Sequence, residues 1–557
     1  MGTWARQTLA GLSLEEKVGQ VICYRPNRGE RETVALAAEG RVGAASPTYF
    51  AGMAPDPARM LAFMNELNQV SSVPVLFFNN LACEYSHWGA TPLPGENSTM
   101  ALGATRDPDL VERVAYAAAW EAKRFGLDCV WVPCVDVNTN PANPIIGTRA
   151  FGDRPRLVAD LAAAYVRGMQ RAGVIPNAKH FPGHGDTAFD THEQVGVIAH
   201  DRPRLDRVEL LPYRRLIRQG LRGVMTAHLI VPALDDTPGL PATLSRACIH
   251  GLLRQQLKFG GLIVSDSLSM RAIRDNVGVE EAVVRTFLAG HDVIMQDYHE
   301  LPRPSWEALA RAVRDGRVPM AQLDDSVLRV LEAKEWAGLP GRPPLDWQAI
   351  RRTIADQGHL ALAREVFGRA VTVLDRQGLP LPADGRRLAV ISALPETPGP
   401  VVTDLSLAAD SGSGRLQRAV AERAPGSTWR SIAEAPDPQQ VEAALAAVAA
   451  ADTVVFACGP RIVAYDNEAS RTSSGQIALV GRLLAAGKTV CLAVLGNPYV
   501  ITDFPRPHAC VTTYSGQPEA VSAAVSVLFG DTPAAGRLPI DLPGRYRCGR
   551  GLSPNLA

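Results

Sequence analysis

Asp266 ends an apolar run, GGLIVSD, in which a carboxylate is poorly solvated on one side. Such a run is typical of a buried strand, and its last residue is expected to face the end of that strand. A carboxylate placed there can act as a nucleophile, as a metal ligand or as an acceptor for substrate hydroxyl groups. The residue type and its position leave these three roles open.

A second candidate group lies in the segment AKHFPGHGDTAFDTHEQ, which spans residues 178–194. The two glycines and the proline of FPGHG exclude a helix and predict a loop. Within this loop, Asp190 and His192 are separated by one residue. A carboxylate beside an imidazole fixes its tautomer and raises its basicity, which suits proton transfer near neutral pH. This pair is therefore a candidate acid/base.

The histidines of this loop also raise the hypothesis of a metal-dependent hydrolase that uses His180, His184 and His192. Their spacing matches neither the HExxH pattern on a helix nor a zinc finger, so we expect no metal and no other cofactor. His184 stands between two glycines, and its alternative role is to shape the loop.

Eight short apolar runs must position these groups. Most are apolar throughout, as is typical of parallel strands that are covered on both faces. They span residues 18–25, 42–50, 73–80, 129–137, 174–181, 223–231, 261–266 and 292–298. Amphipathic helical patterns separate them, and eight βα units within about 300 residues predict an α/β fold, a (β/α)8 TIM barrel. An open doubly wound sheet is the structural alternative.

A Pro- and Gly-rich segment, GLPGRPPL at 338–345, ends this pattern. Beyond it, RRLAVIS, TVVFACG, TVCLAVLG and ACVTTYS predict strands, and QVEAALAAVAAA, SGQIALVGRLLAAG and EAVSAAVSVLF predict helices. We therefore predict a catalytic barrel over residues 1–345, and a linker with a smaller α/β sandwich domain over residues 346–557.

The predicted strand ends carry polar side chains around most of the barrel. They are Asn79 and Asn80, Asp136, Lys179 and His180, His228, Asp266 and Gln296, in the order of the third to the eighth strand. Active sites of TIM barrels lie at the carboxyl ends of the strands. So many polar groups at one end predict an active site there.

The composition excludes several classes of partner. Lys+Arg and Asp+Glu both total 57, so no basic excess indicates nucleic acid or an anionic membrane. The nine cysteines form no CxxC pair, which favours buried free thiols in a reducing compartment. The N-terminal residues lack the apolar segment of a signal peptide. We therefore expect a cytoplasmic monomer or homodimer.

Several segments, taken in chain order, resemble glycoside hydrolase family 3, and within it the β-N-acetylglucosaminidase branch. In the barrel they are LSLEEKVGQ, PCVDVNTNPANPIIGTRAFGDRP, AKHFPGHGDTAFDTH, GGLIVSDSLSM and AGHDVIM. The second domain resembles that of the family through LAVLGNPYV and AAVSVLFGDTPAAGRLPID. The resemblance covers nearly the whole chain, and the KHFPGHG…DTH segment together with SDSLSM is highly specific.

The resemblance implies a retaining exo-β-glycosidase that acts on terminal N-acetyl-β-glucosaminides. In this interpretation Asp266 is the covalent nucleophile, and Asp190 and His192 form the acid/base dyad. The β-glucosidases of the family take a Glu acid from the second domain; Glu468 could be proposed for that role, but the intact dyad makes it unnecessary. The expected substrate-binding residues are Arg149, Lys179, His180, Asn80, His228 and Asp136.

One segment departs from the family pattern. Relatives usually carry a DQEGG-like segment after the third strand, and its Asp holds distal sugar hydroxyls, whereas this chain has NNLACEYSHWGATPLP. Asn80 falls about where that Asp would be, and an amide donates hydrogen bonds as well as accepting them. The alternatives are therefore a β-glucosidase or another family 3 glycosidase or phosphorylase. From other classes, a metal-dependent hydrolase and a non-catalytic sugar-binding protein stay open.

Overall fold

The computed structural model describes most of the chain. The described residues are 3–24, 29–47, 56–80, 90–188, 195–268, 270, 273, 277–296, 302–355, 358–394, 412–462 and 467–552.

The N-terminal part is a parallel barrel, as predicted. Its strands are β1 (Ile22–Tyr24), β2 (Ala44–Ala45), β3 (Leu76–Asn79), β4 (Cys129–Val130), β5 (Ile175–Phe181), β6 (Gly223–Thr226), β7 (Leu262–Val264) and β8 (Ile294–Met295). Neighbours in chain order pair in parallel, and β8 pairs with β1. A parallel bridge between Val264 and Val293 joins β7 to β8 and closes the ring. Each strand lies within one of the eight predicted runs.

Helices cover the outside of the barrel. They span Thr3–Gly11, Leu14–Gln20, Glu30–Ala38, Pro57–Val70, Thr99–Thr105, Pro108–Arg124, Pro155–Arg171, Arg202–Arg207, Leu210–Arg218, Val279–Ala289, Pro302–Arg314 and Met320–Trp336, with a π-helix at Ala247–Gln256. Asp56 and Asp107 accept hydrogen bonds from first-turn backbone N–H groups, and a proline follows each. This is the expected chemistry of a helix start. Among the described helices, none combines the length and the apolar character needed to cross a membrane.

The inside of the barrel is filled by side chains. Phe78 and Trp131 stack there, with ring centroids 4.8 Å apart. They belong to a buried cluster with residues of other strands, among them Ile175, Met225 and Val264. Because this layer is closed, the polar groups beyond the strand ends meet above it, at the mouth of the barrel.

The C-terminal part is a separate six-stranded sheet among the described residues. Its strands are β9 (Thr372–Arg376), β10 (Leu388–Ala393), β11 (Thr428–Ser431), β12 (Thr453–Cys458), β13 (Thr489–Val494) and β14 (Ala509–Thr512). They lie in the order β9-β14-β13-β12-β10-β11, and only the β9–β14 pair is antiparallel. Three of these strands, β12, β13 and β14, lie within the predicted runs, and β10 extends one residue beyond its run; β9 and β11 were not predicted.

Further helices accompany this sheet or connect it to the barrel. They span Trp347–Ala355, His359–Ala370, Gly412–Arg423, Pro438–Ala447, Ser474–Ala485 and Pro518–Leu528. The sheet with its helices confirms a smaller α/β domain after the barrel. The boundary between residues 345 and 346 stays a prediction.

His291, just before β8, is expected to make the stability of the barrel depend on pH. It is fully buried, its Nδ1 donates to the Thr286 carbonyl at 2.9 Å, and its Nε2 lies 2.9 Å from Thr226 Oγ1. Burial lowers the pKa of His291 to about 4. An unfolded histidine titrates near 6.5, so the unfolded chain binds more protons between pH 4 and 6.5. The free energy of unfolding should therefore decrease on acidification, by about 3 kcal/mol for this residue at pH 4.

We expect His291→Gln to remove the contribution of His291 to this pH dependence. On acidification, the free energy of unfolding of the variant should therefore decrease less steeply than that of the wild type, by about 1.4 kcal/mol per pH unit. Urea denaturation at several pH values between 4 and 7 measures the two slopes. The same slope in both proteins would show that His291 does not titrate in this way.

Candidate active site

Asp266 is half-buried, two residues beyond β7. Its Oδ1 accepts a hydrogen bond from the backbone N–H of Ser267 at 2.7 Å. His228, two residues beyond β6, donates from Nε2 to the Ser267 carbonyl at 2.9 Å. The ends of two adjacent strands are thus tied together, and Asp266 is held at the mouth of the barrel.

Asp136 and His180 were predicted separately, and the structure brings them together. The chain continues to pair with β5 beyond β4, because Val135 N–H donates to the Lys179 carbonyl at 2.8 Å. This pairing brings Asp136 Oδ2 to 2.7 Å from His180 Nδ1. Asp136 Oδ1 accepts from the backbone N–H of His184, also at 2.7 Å. Asp136 therefore lies behind His180 and fixes the orientation of its ring.

The charges of this pair follow from its burial. Burial by itself raises the pKa of Asp136, but the His180 ring and the hydrogen bonds from His180 and His184 outweigh it and hold that pKa below its ordinary value. Burial lowers the pKa of His180. The imidazole is therefore neutral at pH 7 with its proton on Nδ1, and Nε2 is left as an acceptor. Arg149 Nη2 lies 3.4 Å from this Nε2.

His184 is buried in the loop that follows β5. Its Nδ1 lies 2.9 Å from Thr187 Oγ1, and burial lowers its pKa to about 4. The next residue, Gly185, approaches the backbone so closely that a Cβ atom would lie 2.0 Å from the Val137 carbonyl. These contacts favour the alternative in which His184 shapes the loop, because its ring is neutral and lies beside Thr187, and the backbone next to it is closely packed.

Glu96 is a site residue that the sequence reasoning missed. Its carboxylate accepts hydrogen bonds from Arg149 Nε at 2.7 Å and from Lys179 Nζ at 2.8 Å, and Arg149 Nη2 also donates to it. All three side chains are largely buried, with exposed fractions of 8% for Glu96, 11% for Arg149 and 6% for Lys179. The sequence feature that could have indicated Glu96 is the single acidic residue in PLPGENSTM, which follows shortly after the third strand.

Asp190 and His192 lie outside the described residues, as part of 189–194. Both flanks of this segment are anchored. On one side, Asp186 accepts from Thr139 Oγ1 at 2.7 Å and hydrogen-bonds with His200 Nε2. On the other side, Gly196–Val197 pairs in parallel with Leu229–Ile230.

Asn80, which was predicted to bind the sugar, is buried directly after β3.

The described residues include one group with the composition of a metal site. Ligand atoms of Cys134, Asp136 and His180 lie within 4.8 Å of one another. Both Cys134 Sγ and His180 Nδ1 donate to Asp136 Oδ2, at 3.2 and 2.7 Å. Burial raises the pKa of the Cys134 thiol well above its usual range, so it stays protonated. In the described structure these contacts form a hydrogen-bonded cluster around Asp136.

The second domain supports the segment that carries Arg149. Ile462 packs with Ile145 and Ile146 in a buried cluster, and a Cβ on Gly147 would meet its side chain at 2.5 Å. Asn138 Nδ2 donates to the Tyr499 hydroxyl at 2.7 Å.

Glu468, the alternative acid from this second domain, has a side chain that is 82% exposed and lies 3.6 Å from Arg471. This exposed position, paired with Arg471, does not favour Glu468 as the acid of the site.

Comparisons with known proteins agree with this fold. The chain is 29% identical to a Cellulomonas fimi beta-N-acetylglucosaminidase/beta-glucosidase, over 97% of this chain and 95% of the relative. It is 33% identical to beta-hexosaminidase A of Pseudoalteromonas piscicida, where the match spans 51% of this chain and half of the relative's length. The solved structure of a glycoside hydrolase family 3 beta-N-acetylglucosaminidase from Paenibacillus sp. str. FPU-7 superposes with a TM-score of 0.80, at 29% identity, over 96% of this chain and 99% of that one.

Residues 13–333 match the glycosyl hydrolase family 3 N-terminal domain, and residues 373–548 match the glycosyl hydrolase family 3 C-terminal domain. The chain belongs to glycoside hydrolase family 3.

Proposed function

We propose that this protein is a retaining exo-β-glycosidase that hydrolyses terminal N-acetyl-β-glucosaminides, with Asp266 as nucleophile and His192, oriented by Asp190, as acid/base. The observation that carries this proposal is the position of Asp266. It is half-buried at the carboxyl end of β7, at the same end of the barrel as the Glu96–Arg149–Lys179 group. In an enzyme of this family, a fixed carboxylate at that end is suited to attack an anomeric carbon.

The proposed reaction is a double displacement. In the first step an oxygen of Asp266 forms a bond to the anomeric carbon while the bond to the aglycone oxygen breaks, and protonated His192 gives its proton to that leaving oxygen. In the second step His192 takes a proton from water, whose oxygen attacks the anomeric carbon and releases the Asp266 carboxylate. The product sugar retains its anomeric configuration.

The other predicted residues receive roles that agree with their contacts. We assign Arg149, Lys179, His180 and Asn80 to the sugar hydroxyls. Asp136 acts through His180, which it orients, and His228 acts through the Ser267 carbonyl beside the nucleophile. The prediction that Asp136 and His228 themselves touch the sugar stays a prediction.

The names of the relatives, beta-N-acetylglucosaminidase and beta-hexosaminidase, support an amino sugar as the substrate. A β-glucoside is the second candidate, because the Cellulomonas fimi relative carries both activities in its name.

Rates on a panel of aryl β-glycosides, with and without EDTA, test the proposal. We expect the N-acetyl-β-glucosaminide to be turned over fastest and EDTA to have no effect. A clear preference for another glycoside would overturn the substrate, and activity restored only by added metal would favour the metal-dependent alternative.

We also propose a cytoplasmic location. The described cysteines are all free, and seven of these eight are buried, which supports a reducing compartment. The oligomeric state, monomer or homodimer, stays a prediction.

A further inference from the structure

Glu96 connects two cationic side chains through one oxygen atom. It lies in the short 3-10 helix Glu96–Ser98, and its Oε1 accepts from both Arg149 and Lys179. In the proposed function these two cations face the sugar. A carboxylate that holds both of them determines how they are presented to the substrate.

The charges of the group cancel. Burial by itself raises the pKa of Glu96, but Arg149 and Lys179 outweigh it and lower that pKa to about 2. Glu96 is therefore a carboxylate at neutral pH, as is Asp136, and His180 beside them is neutral. The group then contains two carboxylates, one guanidinium and one ammonium, so as a whole it carries no net charge.

Without Glu96 the same place would carry a net positive charge. An arginine and a lysine side by side form a site for phosphate or carboxylate groups, since both donate charge-assisted hydrogen bonds to anions. With Glu96 in place, that attraction is offset, and an anion would also meet a negative carboxylate at short range. A neutral polyol has no such penalty and can use the donors and acceptors of the group.

We infer that Glu96 is a specificity-determining residue of the sugar site, which fixes Arg149 and Lys179 and cancels their charge so that the site takes an uncharged sugar and rejects an anionic one. The inference rests on the proposed function, in which Arg149 and Lys179 contact the substrate.

Glu96→Gln is the direct test, because it keeps the size of the side chain and removes its charge. We expect KM for an aryl N-acetyl-β-glucosaminide to rise by about tenfold or more, since a hydrogen bond to a charged group is lost or weakened. We also expect inorganic phosphate to bind and inhibit about tenfold more tightly than in the wild type. A purely structural role of Glu96 would not produce this gain in phosphate binding.

Glu121→Gln is the matched control. Glu121 is a second fully buried carboxylate, which accepts from Thr91 N–H at 2.9 Å and Thr91 Oγ1 at 2.6 Å and lies 2.7 Å from His359 Nδ1. None of these hydrogen bonds of Glu121 involves Arg149 or Lys179. Its loss should lower thermal stability while leaving KM and phosphate inhibition near the wild-type values.

The outcomes separate the two claims. Turnover of the aryl glycoside panel by the wild type tests the proposed function, and the comparison of variants tests the inference. A folded Glu96→Gln protein with unchanged KM and unchanged phosphate inhibition would overturn the role of Glu96 while leaving the glycosidase assignment intact.

If Glu96→Gln does not fold, Glu96→Asp is the second variant, because it keeps the charge on a shorter side chain. For that variant we expect wild-type phosphate inhibition with a raised KM, and an unchanged KM would contradict the inference.

Discussion

Asp266→Ala is expected to lose turnover of an aryl N-acetyl-β-glucosaminide by about 10⁴-fold or more, because no group is left to form the covalent intermediate. The fold should be retained, since Asp266 is half-buried at the mouth of the barrel and is not part of the closed apolar layer. Initial rates at saturating substrate, with far-UV circular dichroism on the same samples, measure both effects.

Asp236→Ala is the control for Asp266→Ala, because Asp236 is an exposed aspartate beyond β6. It should keep wild-type activity. If Asp266→Ala retained more than about one hundredth of the wild-type rate, Asp266 could not be the nucleophile, because the loss of a nucleophile costs several orders of magnitude.

His192→Ala is expected to affect substrates according to their leaving groups. A glycoside with a poor leaving group needs the proton in the first step, so its kcat/KM should fall by about 10³-fold. A dinitrophenyl glycoside leaves without protonation, and its kcat/KM should change by less than about tenfold. The ratio kcat/KM is the correct quantity because it reports the first chemical step and excludes the later attack by water.

Asp190→Ala should show a milder form of the same pattern, because Asp190 is proposed to act only by orienting His192. His250→Ala serves as the control, since His250 lies in the π-helix Ala247–Gln256, on the outside of the barrel. Equal losses for good and poor leaving groups in His192→Ala would remove His192 from the acid role.

The barrel could be predicted because parallel strands covered on both faces are apolar along their whole length. The bounds were less accurate, since β2 covers Ala44–Ala45 among residues 42–47, the part of the predicted run 42–50 that the structure describes. In the second domain, β11 was missed for a physical reason. It is an edge strand, TWRS, whose four residues are all half-buried, so it produces no apolar run.

The contacts within the site could not be predicted in the same way. Glu96 meets Arg149 and Lys179, which follow it by 53 and 83 residues, and no local pattern links three such segments. Asp136 and His180 were each found at a strand end, but their hydrogen bond depends on pairing that continues beyond β4. Strand ends therefore indicate which side chains share the mouth of the barrel, whereas their partners follow only from the folded backbone.

Covalent trapping tests the central claim most directly. The wild-type protein is incubated with a slow fluorosugar substrate, digested, and the labelled peptide is identified by mass spectrometry. We expect one sugar per chain on the peptide that contains GGLIVSD, attached to Asp266, and no label in Asp266→Ala. A label on any other carboxylate, or a product released with inverted anomeric configuration, would contradict the proposed mechanism.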